Sequence, residues 1–305
     1  MSEMNEMIGF IGLGVMGAPM AGRLIDAGRS LVVSDSDPRR AEPLVARGAH
    51  YRGTPAEVAH EASMVFVCLP GPAVVSEVAL GVNGLHEGQA MRLMIDLSTS
   101  GPRVSAQIAQ HFAGSRMALV DAPVSGGQRG AAAGTLTLMA AGDPDHYRQI
   151  EPLLRHLGRP VFCGPRPGQG QLLKVINNMM STAALAVTAE AFALGQKGGL
   201  DPQLMLDVIN ASSGRNSATE DKFPHAVLTR KFDFGFPVRQ SLKDLGLCLA
   251  EADELGVPML VARVVKEMLL LTGAEFGFDA DFTQIARLTQ KWAHLDADGP
   301  ASGTT

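Results

Sequence analysis

Three glycines near the N-terminus constrain the fold of this chain more than any other feature of its sequence. Gly12, Gly14 and Gly17 form a G-x-G-x-x-G pattern that follows the apolar run Ile8–Ile11 and opens a stretch of helical character. A second apolar run ends in Asp35, about 20 residues further along, which is the spacing of a dinucleotide-binding β-α-β unit. In such a unit the first glycine permits a tight turn, the second lets a pyrophosphate approach the backbone, and the third lets the helix pack closely on the strand. The glycine pattern alone is weak evidence, but the complete unit predicts a dinucleotide site.

The acidic residue at the end of the second apolar run indicates which dinucleotide is bound. The Asp35 carboxylate is expected to accept hydrogen bonds from ribose hydroxyls and to repel a 2′-phosphate, which favours NAD and leaves NADP possible. Arg39 and Arg40 are close enough in the sequence to reach a phosphate, but we interpret them as solvated charges on a helix. Ligands of open parallel sheets bind beyond the carboxyl ends of the strands. The loops at Leu69–Pro70 and Ser98–Ser100, which follow two later strands, are therefore expected to contact the nicotinamide half of the cofactor and to form a nicotinamide wall. The candidate cofactor residues are therefore Gly12, Leu13, Gly14, Val15, Met16, Gly17, Asp35, Leu69, Pro70 and Thr99.

The first half of the chain alternates short apolar runs with stretches of helix length, which predicts a parallel sheet with helices on both faces. The predicted strands are Ile8–Ile11, Ser30–Ser34, Met64–Leu69, Leu93–Asp96, Ala118–Asp121, Thr135–Ala140 and Val161–Cys163. A glycine- and proline-rich break at Cys163–Gln171 is the best candidate for a domain boundary. After it strand signals nearly vanish, and Leu172 to about Lys197 is one helical pattern that is apolar or small on almost every side. Later helices are predicted at Pro202–Ser212, Ser217–Thr229, Gln240–Leu255 and Pro258–Thr272.

These patterns predict an α/β fold: an N-terminal Rossmann-type doubly wound sheet followed by an all-α C-terminal domain, joined by a long central helix. We assign residues 1–165 to a dinucleotide-binding domain and residues 166–295 to a helical substrate and oligomerisation domain. Residues 296–305 are small and polar, and are expected to form a flexible tail.

The composition narrows the classes of partner. The net charge is −5, charged residues make up 19%, and no basic run is present, which excludes nucleic acid as the main partner. No apolar run reaches the ~20 residues needed to cross a bilayer, so no membrane partner is expected. Three scattered cysteines and an acidic N-terminus without the features of a signal peptide indicate a cytoplasmic protein. The eight histidines show no pair at ligand spacing, so no metal site is expected. The lean charge content and the apolar central helix favour a homodimer or homotetramer.

Polar residues near the start of the long apolar helix are candidates for chemistry. Lys174 and Asn178 are four residues apart and share a helix face. An amine and an amide in so apolar a helix are costly to bury without partners. A buried lysine suits general acid and base chemistry, but a lysine paired with a carboxylate across a domain interface is an equally good explanation of the spacing alone.

Four motifs occur in a fixed order along the chain: GLGVMG, DAPVSGG with GAAAGTL, KVINN, and KDLGLCL. Together they resemble those of the β-hydroxyacid dehydrogenase family, in particular its 3-hydroxyisobutyrate branch, from Ile8 to about Trp292. The resemblance implies that Lys174 is the catalytic acid and base and that Asn178 holds the substrate hydroxyl or carboxylate. It further implies that Ser125, Gly126 and Gly127 bind the substrate carboxylate, and that Lys243 lies near both cofactor and substrate. The implied substrate is a small 3-hydroxy acid or its semialdehyde.

The stretch of small residues from Asp121 to Gly142 then has a function. Main-chain N–H groups and a serine hydroxyl can hold a carboxylate without a cation, and large side chains there would block its approach. The far end of the substrate is less constrained, since Arg215, Asn216, Phe232, Phe234 and Phe236 could face it or have ordinary core and loop roles. Two other functions remain open: an imine reductase of the same architecture, and a non-catalytic module that binds the dinucleotide for assembly.

Overall fold

The computed structural model describes residues 6–295, and these form two compact units that meet inside one helix, between Val175 and Ile176. The boundary expected at residues 165/166 lies ten residues earlier and stays a prediction. The expected flexible tail at 296–305 lies outside the described residues. Each unit is described by itself below.

The first unit contains a nine-stranded sheet. Eight strands follow the order β3-β2-β1-β4-β5-β6-β8-β7, and the ninth, β9, also pairs with β8. The strands are β1 (Ile8–Ile11), β2 (Leu31–Ser34), β3 (His50–Tyr51), β4 (Met64–Val67), β5 (Leu93–Asp96), β6 (Ala118–Asp121), β7 (Val124–Ser125), β8 (Leu136–Ala141) and β9 (Gly158–Gly164). From β3 to β6 every pair is parallel, as predicted. The order of the strands reverses beside β1, and such a switch point is where doubly wound sheets bind their ligands.

The last strands depart from the predicted parallel sheet. β8 is antiparallel to both β6 and β7, and only β9 is parallel to β8. β9 is also longer than the predicted run Val161–Cys163. Its side chains are mostly exposed or half-buried, so most of its length lacks the apolar run by which a buried strand is recognised.

Helices cover both faces of this sheet, as predicted. Alternate residues of the parallel strands point to opposite faces, so that Phe10 and Phe66 join one buried cluster while Val65 and Val67 join another. The helices of this unit are α1 (Gly17–Asp26), α2 (Glu42–Val45), α3 (Pro55–Glu61), α4 (Pro72–Leu80), α5 (Pro102–Phe112), α6 (Gly127–Ala133) and α7 (Pro144–Leu154), followed by the start of α8 (Gln169–Lys197).

The regular structure in the described part of the second unit is helical, apart from one β-bridge between Pro237 and Asp281. It contains the rest of α8 and then α9 (Pro202–Asn210), a π-helix (Ala218–Val227), α10 (Val238–Glu254), α11 (Leu260–Phe276) and α12 (Ile285–Trp292). The π-helix replaces the α-helix expected at Ser217–Thr229. Pro224 inside it has no N–H to give to an α-helical turn, which is one cause of the wider turn.

Helix α8 starts directly on the sheet of the first unit. At Gly170, in its first turn, an added Cβ would overlap the carbonyl oxygen of Met139 in β8 and lie 2.8 Å from Oδ2 of Asp121. The glycine- and proline-rich break at Cys163–Gln171 therefore lets the start of α8 pack against β8 with no side chain between the two backbones.

Helix α8 also meets the length and composition criteria for a membrane span, with a hydropathy of 1.2 over its most apolar window. Core helices of proteins without a membrane segment meet the same criteria, so this is weak evidence for a span.

Replacement of Gly170 by alanine should destabilise the protein by about 1–3 kcal/mol, because the new methyl group meets backbone rather than a flexible side chain. Gly246→Ala in α10 is the matched control, since a Cβ there meets nothing within 4 Å. It should stabilise by about 0.5–1 kcal/mol. Urea unfolding followed by circular dichroism measures both, and equal effects would show that α8 does not rest on β8 as described.

Candidate functional site

The glycine turn between β1 and α1 has the geometry that a dinucleotide requires. A Cβ at Gly12 would overlap the carbonyl oxygen of Cys68, and one at Gly17 would overlap the carbonyl oxygen of Gly12. By contrast, the nearest atom to a Cβ at Gly14 is a guanidinium nitrogen of Arg40 at 3.9 Å. Gly12 and Gly17 therefore allow close packing inside the protein, while Gly14 leaves its outer side open to a ligand.

A hollow of about 400 Å³ lies over this turn. It is lined by Leu13, Gly14, Val15, Ala18, Pro19, Arg40 and Gln128. The first residues of α1 are among them, and the N-terminus of a helix favours a negatively charged group. The residues present thus fit the pyrophosphate of NAD or NADP. Gln128, in α6, was not among the candidates, because nothing in the sequence brings α6 next to the glycine turn.

Asp35, which follows β2, is bonded to the protein itself. Its Oδ2 accepts the backbone N–H of Leu13 at 2.7 Å, and its Oδ1 accepts that of Asp37 at 2.9 Å. The Arg40 guanidinium lies 3.6 Å from Oδ1. The carboxylate therefore fixes the glycine turn to the end of β2 in addition to any contact with a ribose.

The two arginines after Asp35 differ in their surroundings. Arg39 is exposed and bonded to Asp37, which holds the pKa of the Asp37 carboxyl below its usual range. That is the solvated charge we expected. Arg40 is also largely exposed, as expected of a solvated charge, but its guanidinium lies 3.6 Å from Oδ1 of Asp35 and lines the hollow.

The expected nicotinamide wall consists of the loops that follow β4 and β5. The N–H of Leu69 donates to Oγ of Ser98 at 2.9 Å, and the Leu69 side chain packs against Gly12. Pro70 is exposed and Thr99 is half-buried. Both loops leave the carboxyl ends of neighbouring parallel strands, and this brings Leu69 and Thr99 to the same edge of the sheet as the glycine turn.

Asp121 at the end of β6 joins the sheet to α8. Its Oδ1 accepts the N–H of Gly168 at 2.6 Å, and its Oδ2 accepts that of Gln171 at 2.9 Å. Burial raises the pKa of this carboxyl to about 7, although both donors favour its charged form. The carboxylate caps the N-terminus of the helix that carries Lys174, a place where negative charge is favourable.

Lys174 lies on the second turn of α8 and is only 7% exposed. It belongs to the first unit, together with the glycine turn and the loops after β4 and β5. Asn178 follows one helical turn later and lies in the part of α8 that belongs to the second unit, which begins at Ile176.

In the second unit, Asn178 and Lys243 are joined through a carboxylate. Nδ2 of Asn178 donates to Oδ2 of Asp244 at 2.7 Å, and Nζ of Lys243 lies 3.0 Å from Oδ1. Asp244 is buried. The sequence pointed to Asn178 and Lys243 but not to Asp244, although Asp244 stands next to Lys243 in the KDL motif.

The loop that is expected to bind the substrate carboxylate begins at the end of β7. Ser125 ends β7, opposite Thr137 of β8, and the two following residues turn away from the strand. Gly126 and Gly127 have φ of +131° and +62°, which side chains disfavour, so the turn requires glycines. Ser125 is half-buried and both glycines are exposed, so a ligand could reach the hydroxyl and the backbone here.

The residues that were candidates for the far end of the substrate mostly have structural partners. Oδ1 of Asn216 accepts the N–H of Ala218 at 2.8 Å, at the start of the π-helix, and Arg215 pairs with Glu220. Phe232 is buried in the helical core, and Phe236 packs against that core.

Phe234 instead contacts a lysine that the sequence did not reveal. Nζ of Lys222 lies 5.4 Å from the centre of the Phe234 ring, and it donates to the carbonyl oxygen and Oγ of Ser217. Burial lowers the pKa of Lys222. Lys222 therefore ties the start of the π-helix to the segment that carries the three phenylalanines.

No group of three histidine, cysteine, aspartate or glutamate side chains that could hold a metal ion is found within residues 6–295.

Two family models together cover nearly the whole chain. Residues 7–164 match the model described as the NAD binding domain of 6-phosphogluconate dehydrogenase. Residues 168–289 match the model described as NAD-binding of NADP-dependent 3-hydroxyisobutyrate dehydrogenase. NAD or NADP is therefore the cofactor.

Individual relatives agree with these models. 3-Hydroxyisobutyrate dehydrogenase from Pseudomonas aeruginosa is 39% identical over 271 residues, covering 87% of this chain and 91% of that protein. 2-(Hydroxymethyl)glutarate dehydrogenase from Eubacterium barkeri is 36% identical over 267 residues, covering 87% and 89%. The solved structure of Mycobacterium tuberculosis 3-hydroxyisobutyrate dehydrogenase with L-serine is 31% identical, has a TM-score of 0.85, and covers 93% of this chain and 99% of its own. As the four motifs predict, the chain belongs to the β-hydroxyacid dehydrogenase family, NAD(P)-dependent oxidoreductases that act on CH–OH groups.

Proposed function

We propose that the protein is an NAD-dependent dehydrogenase of a small 3-hydroxy acid, with Lys174 as general acid and base. The observation that carries this proposal is the burial of Lys174 on the second turn of α8. The first turn of that helix is bonded to Asp121 at the carboxyl end of β6. This is the edge of the sheet at which doubly wound folds bind their ligands.

The proposed chemistry divides between the cofactor and the chain. The nicotinamide supplies the acceptor for the hydride that leaves the carbinol carbon. Lys174 takes the hydroxyl proton during oxidation, and during reduction it returns a proton to the developing alkoxide. The Ser125 hydroxyl and the N–H groups of Gly126 and Gly127 hold the substrate carboxylate. Asn178, itself oriented by Asp244, positions the substrate hydroxyl.

The names of the relatives suggest the substrate class. 3-Hydroxyisobutyrate, 2-(hydroxymethyl)glutarate and L-serine are all carboxylates with a CH₂OH group on C2. They differ only in the other substituent of C2, which is a methyl, a carboxyethyl or an ammonium group. We infer that this protein oxidises an acid of the same shape, and that the substituent on C2 decides which one.

Two other functions are less well supported. Imine reductases of the same architecture usually lack the catalytic lysine, so the buried Lys174 argues against that activity. A non-catalytic assembly module would not need an amine at this edge of the sheet. NADPH oxidation with a cyclic imine would support the first alternative, and failure of every acid and imine to react would support the second.

The test of the proposed function is turnover with a panel of acids and both cofactors. 3-Hydroxyisobutyrate, serine and 2-(hydroxymethyl)glutarate should reduce NAD, whereas glycerate and threonate extend the panel to polyhydroxy acids. Lys174→Ala should lower kcat about 10²–10⁴-fold and leave the Kd for NAD within about threefold, because the amine acts on the proton and not on the dinucleotide. Lys197→Ala, on the exposed end of α8, is the control. Parallel losses of kcat and NAD affinity in Lys174→Ala would contradict the assigned role.

The preference for NAD rests on Asp35. Its carboxylate is buried beside the hollow and would repel a 2′-phosphate, whereas the adjacent Arg40 would attract one. Because Arg40 is already paired with Asp35, the negative charge of the aspartate decides between the two cofactors in the wild-type protein.

Removal of that charge should release Arg40 and shift the preference. Asp35→Asn keeps an acceptor for Leu13 and should raise kcat/KM for NADP by about 10–100-fold, the effect of one charge-assisted contact of about 1.5–3 kcal/mol. Asp35→Asn combined with Arg40→Leu should lose that gain, whereas Asp35→Asn combined with Arg39→Leu should keep it. A gain that survives the loss of Arg40 would assign phosphate recognition to another group.

We also propose that the protein forms a homodimer or homotetramer through α8. Met180, Val187 and Leu194 are seven residues apart, which places them on one face of the helix, and all three are largely exposed. Exposed apolar side chains in such a row are typical of a surface that another helix covers. A second copy of this chain is the partner that we propose.

Introduction of a charge into this row should dissociate the oligomer. Val187→Glu should give a monomer by size-exclusion chromatography with light scattering, because the carboxylate would have to be buried in the interface. Val82→Glu changes a residue of the first unit that is 85% exposed, and should leave the mass unchanged. A wild-type protein that is monomeric at micromolar concentration would refute the proposal.

A further inference from the structure

Gln171, in the first turn of α8, has no exposed surface. Its side-chain amide lies among backbone groups of the loop that follows β5. Oε1 accepts the N–H of Ser100 at 3.0 Å and that of Gly101 at 3.1 Å. Nε2 donates to the carbonyl oxygen of Ser98 at 2.8 Å and makes a longer contact of 3.4 Å with Oδ2 of Asp96.

The chemistry of this position requires an amide. The loop presents two donors and two acceptors at a buried place, and glutamine is one of the two side chains that offer both an acceptor oxygen and an NH₂ group. A carboxylate would lack the donors. An apolar side chain would remove the partner of the Ser100 and Gly101 N–H groups and of the Ser98 carbonyl oxygen, whereas Oδ2 of Asp96 would keep the Ser100 hydroxyl. Buried polar groups without partners are strongly disfavoured.

Gln171 is also fixed through its backbone. Its N–H donates to Asp121, so the residue is bonded to the end of β6 through its main chain and to the loop after β5 through its side chain. Its position in α8 is therefore determined by two neighbouring strands. Lys174, three residues later, lies next to Gln171 on the helix surface.

The same loop holds the expected nicotinamide wall. Thr99 stands between Ser98 and Ser100, both of which are bonded to Gln171 through their backbones. Ser98 in turn accepts the N–H of Leu69 through its hydroxyl. A continuous set of hydrogen bonds thus runs from Leu69 through Ser98 to Gln171, and the covalent helix continues to Lys174.

We propose that Gln171 is a positioning residue that sets the place of the Lys174 amine relative to the loop around Leu69 and Thr99. The inference rests on the proposed function, in which that loop contacts the nicotinamide and Lys174 moves the proton. Hydride and proton must leave the same CH–OH group, so both acceptors must be held at fixed separation. A misplacement of about 1 Å can lower a rate about 10²-fold.

The first experiment compares Gln171→Met with the wild-type enzyme. Methionine has a similar length but forms none of the four contacts. It should lower kcat by about 10–100-fold and leave the Kd for NADH within about threefold, because the glycine turn and Asp35 are not bonded to Gln171. The deuterium isotope effect on kcat, measured with substrate labelled at the carbinol carbon, should rise as hydride transfer becomes slower.

A stability-matched control separates positioning from simple destabilisation. Ile108→Ala removes a buried side chain of α5 and should lower the melting temperature without changing kcat or the isotope effect at a temperature where the protein is folded. If Gln171→Met keeps kcat within about threefold of wild type, or changes it only as Ile108→Ala does, Gln171 is merely structural and the proposal is overturned.

A second variant covers the case in which Gln171→Met does not fold. Gln171→Glu keeps an acceptor for Ser100 and Gly101, but once its carboxyl is ionised it lacks the donor to the carbonyl oxygen of Ser98 and to Oδ2 of Asp96. Its kcat should then fall about tenfold or more at a Kd for NADH within about threefold of wild type. A folded Gln171→Glu variant that keeps kcat within about threefold of wild type across the pH range of activity would contradict the proposal.

Failure of the proposed function would be seen separately. If wild-type protein oxidises none of the acids, the dehydrogenase assignment fails, and the fluorescence of bound NADH then tests the role of Gln171. Gln171→Met should change the emission of the bound nicotinamide at unchanged Kd, whereas Ile108→Ala should not. Unchanged emission in Gln171→Met would show that the residue does not shape the nicotinamide wall.

Discussion

Asp121 joins the end of a buried strand to the first turn of the helix that carries Lys174, and the arrangement of the first unit depends on this contact. A carboxylate so deeply buried is unfavourable unless donors surround it, and the N–H groups of Gly168 and Gln171 are such donors. The contact is possible because Gly170 allows the helix to approach β8 without a side chain between them. Charge, backbone donors and the absence of a Cβ thus determine together where α8 begins.

A similar arrangement occurs at three strand ends of this sheet. Asp35 after β2, Asp96 at the end of β5 and Asp121 at the end of β6 each accept a backbone N–H from the segment that turns away from the sheet. A carboxylate can accept several hydrogen bonds at once, so one side chain can order a whole turn. The turns at this edge of the sheet are thus held by hydrogen bonds within the protein, which suits a site in which cofactor and acid must be held at fixed separation.

Much of the first unit could be predicted because its buried parallel strands are short apolar runs. β1, β5 and β6 have the predicted bounds, and the glycine turn has the predicted geometry. β3 and β7 are only two residues long and leave no pattern, and the largely exposed β9 leaves little of one. In the second unit an apolar period cannot tell a π-helix from an α-helix, so Ala218–Val227 was expected to be α-helical.

The hydrogen bonds that hold the site together could not be predicted for another reason: they join residues that are far apart in the sequence. Gln171 and Ser100 are 71 residues apart, and Asp121 and Gln171 are 50 apart, so their pairing follows from the order of strands in the sheet. The contact of Arg40 with Asp35 likewise depends on how the chain turns after β2, although the arginine side chain stays largely exposed. Residue types at single motifs could be identified, but the groups that orient them are brought together only by the tertiary fold.

The π-helix has a consequence for how this region tolerates insertions and deletions. Residues of a π-helix bond to the fifth residue along the chain and not to the fourth, so a deletion between Ser217 and Lys222 would turn the Lys222 side chain about the helix axis. Lys222 could then no longer reach both Ser217 and Phe234. The number of residues in this segment is therefore more constrained than their identity, and substitutions at constant length are the safer way to redesign it.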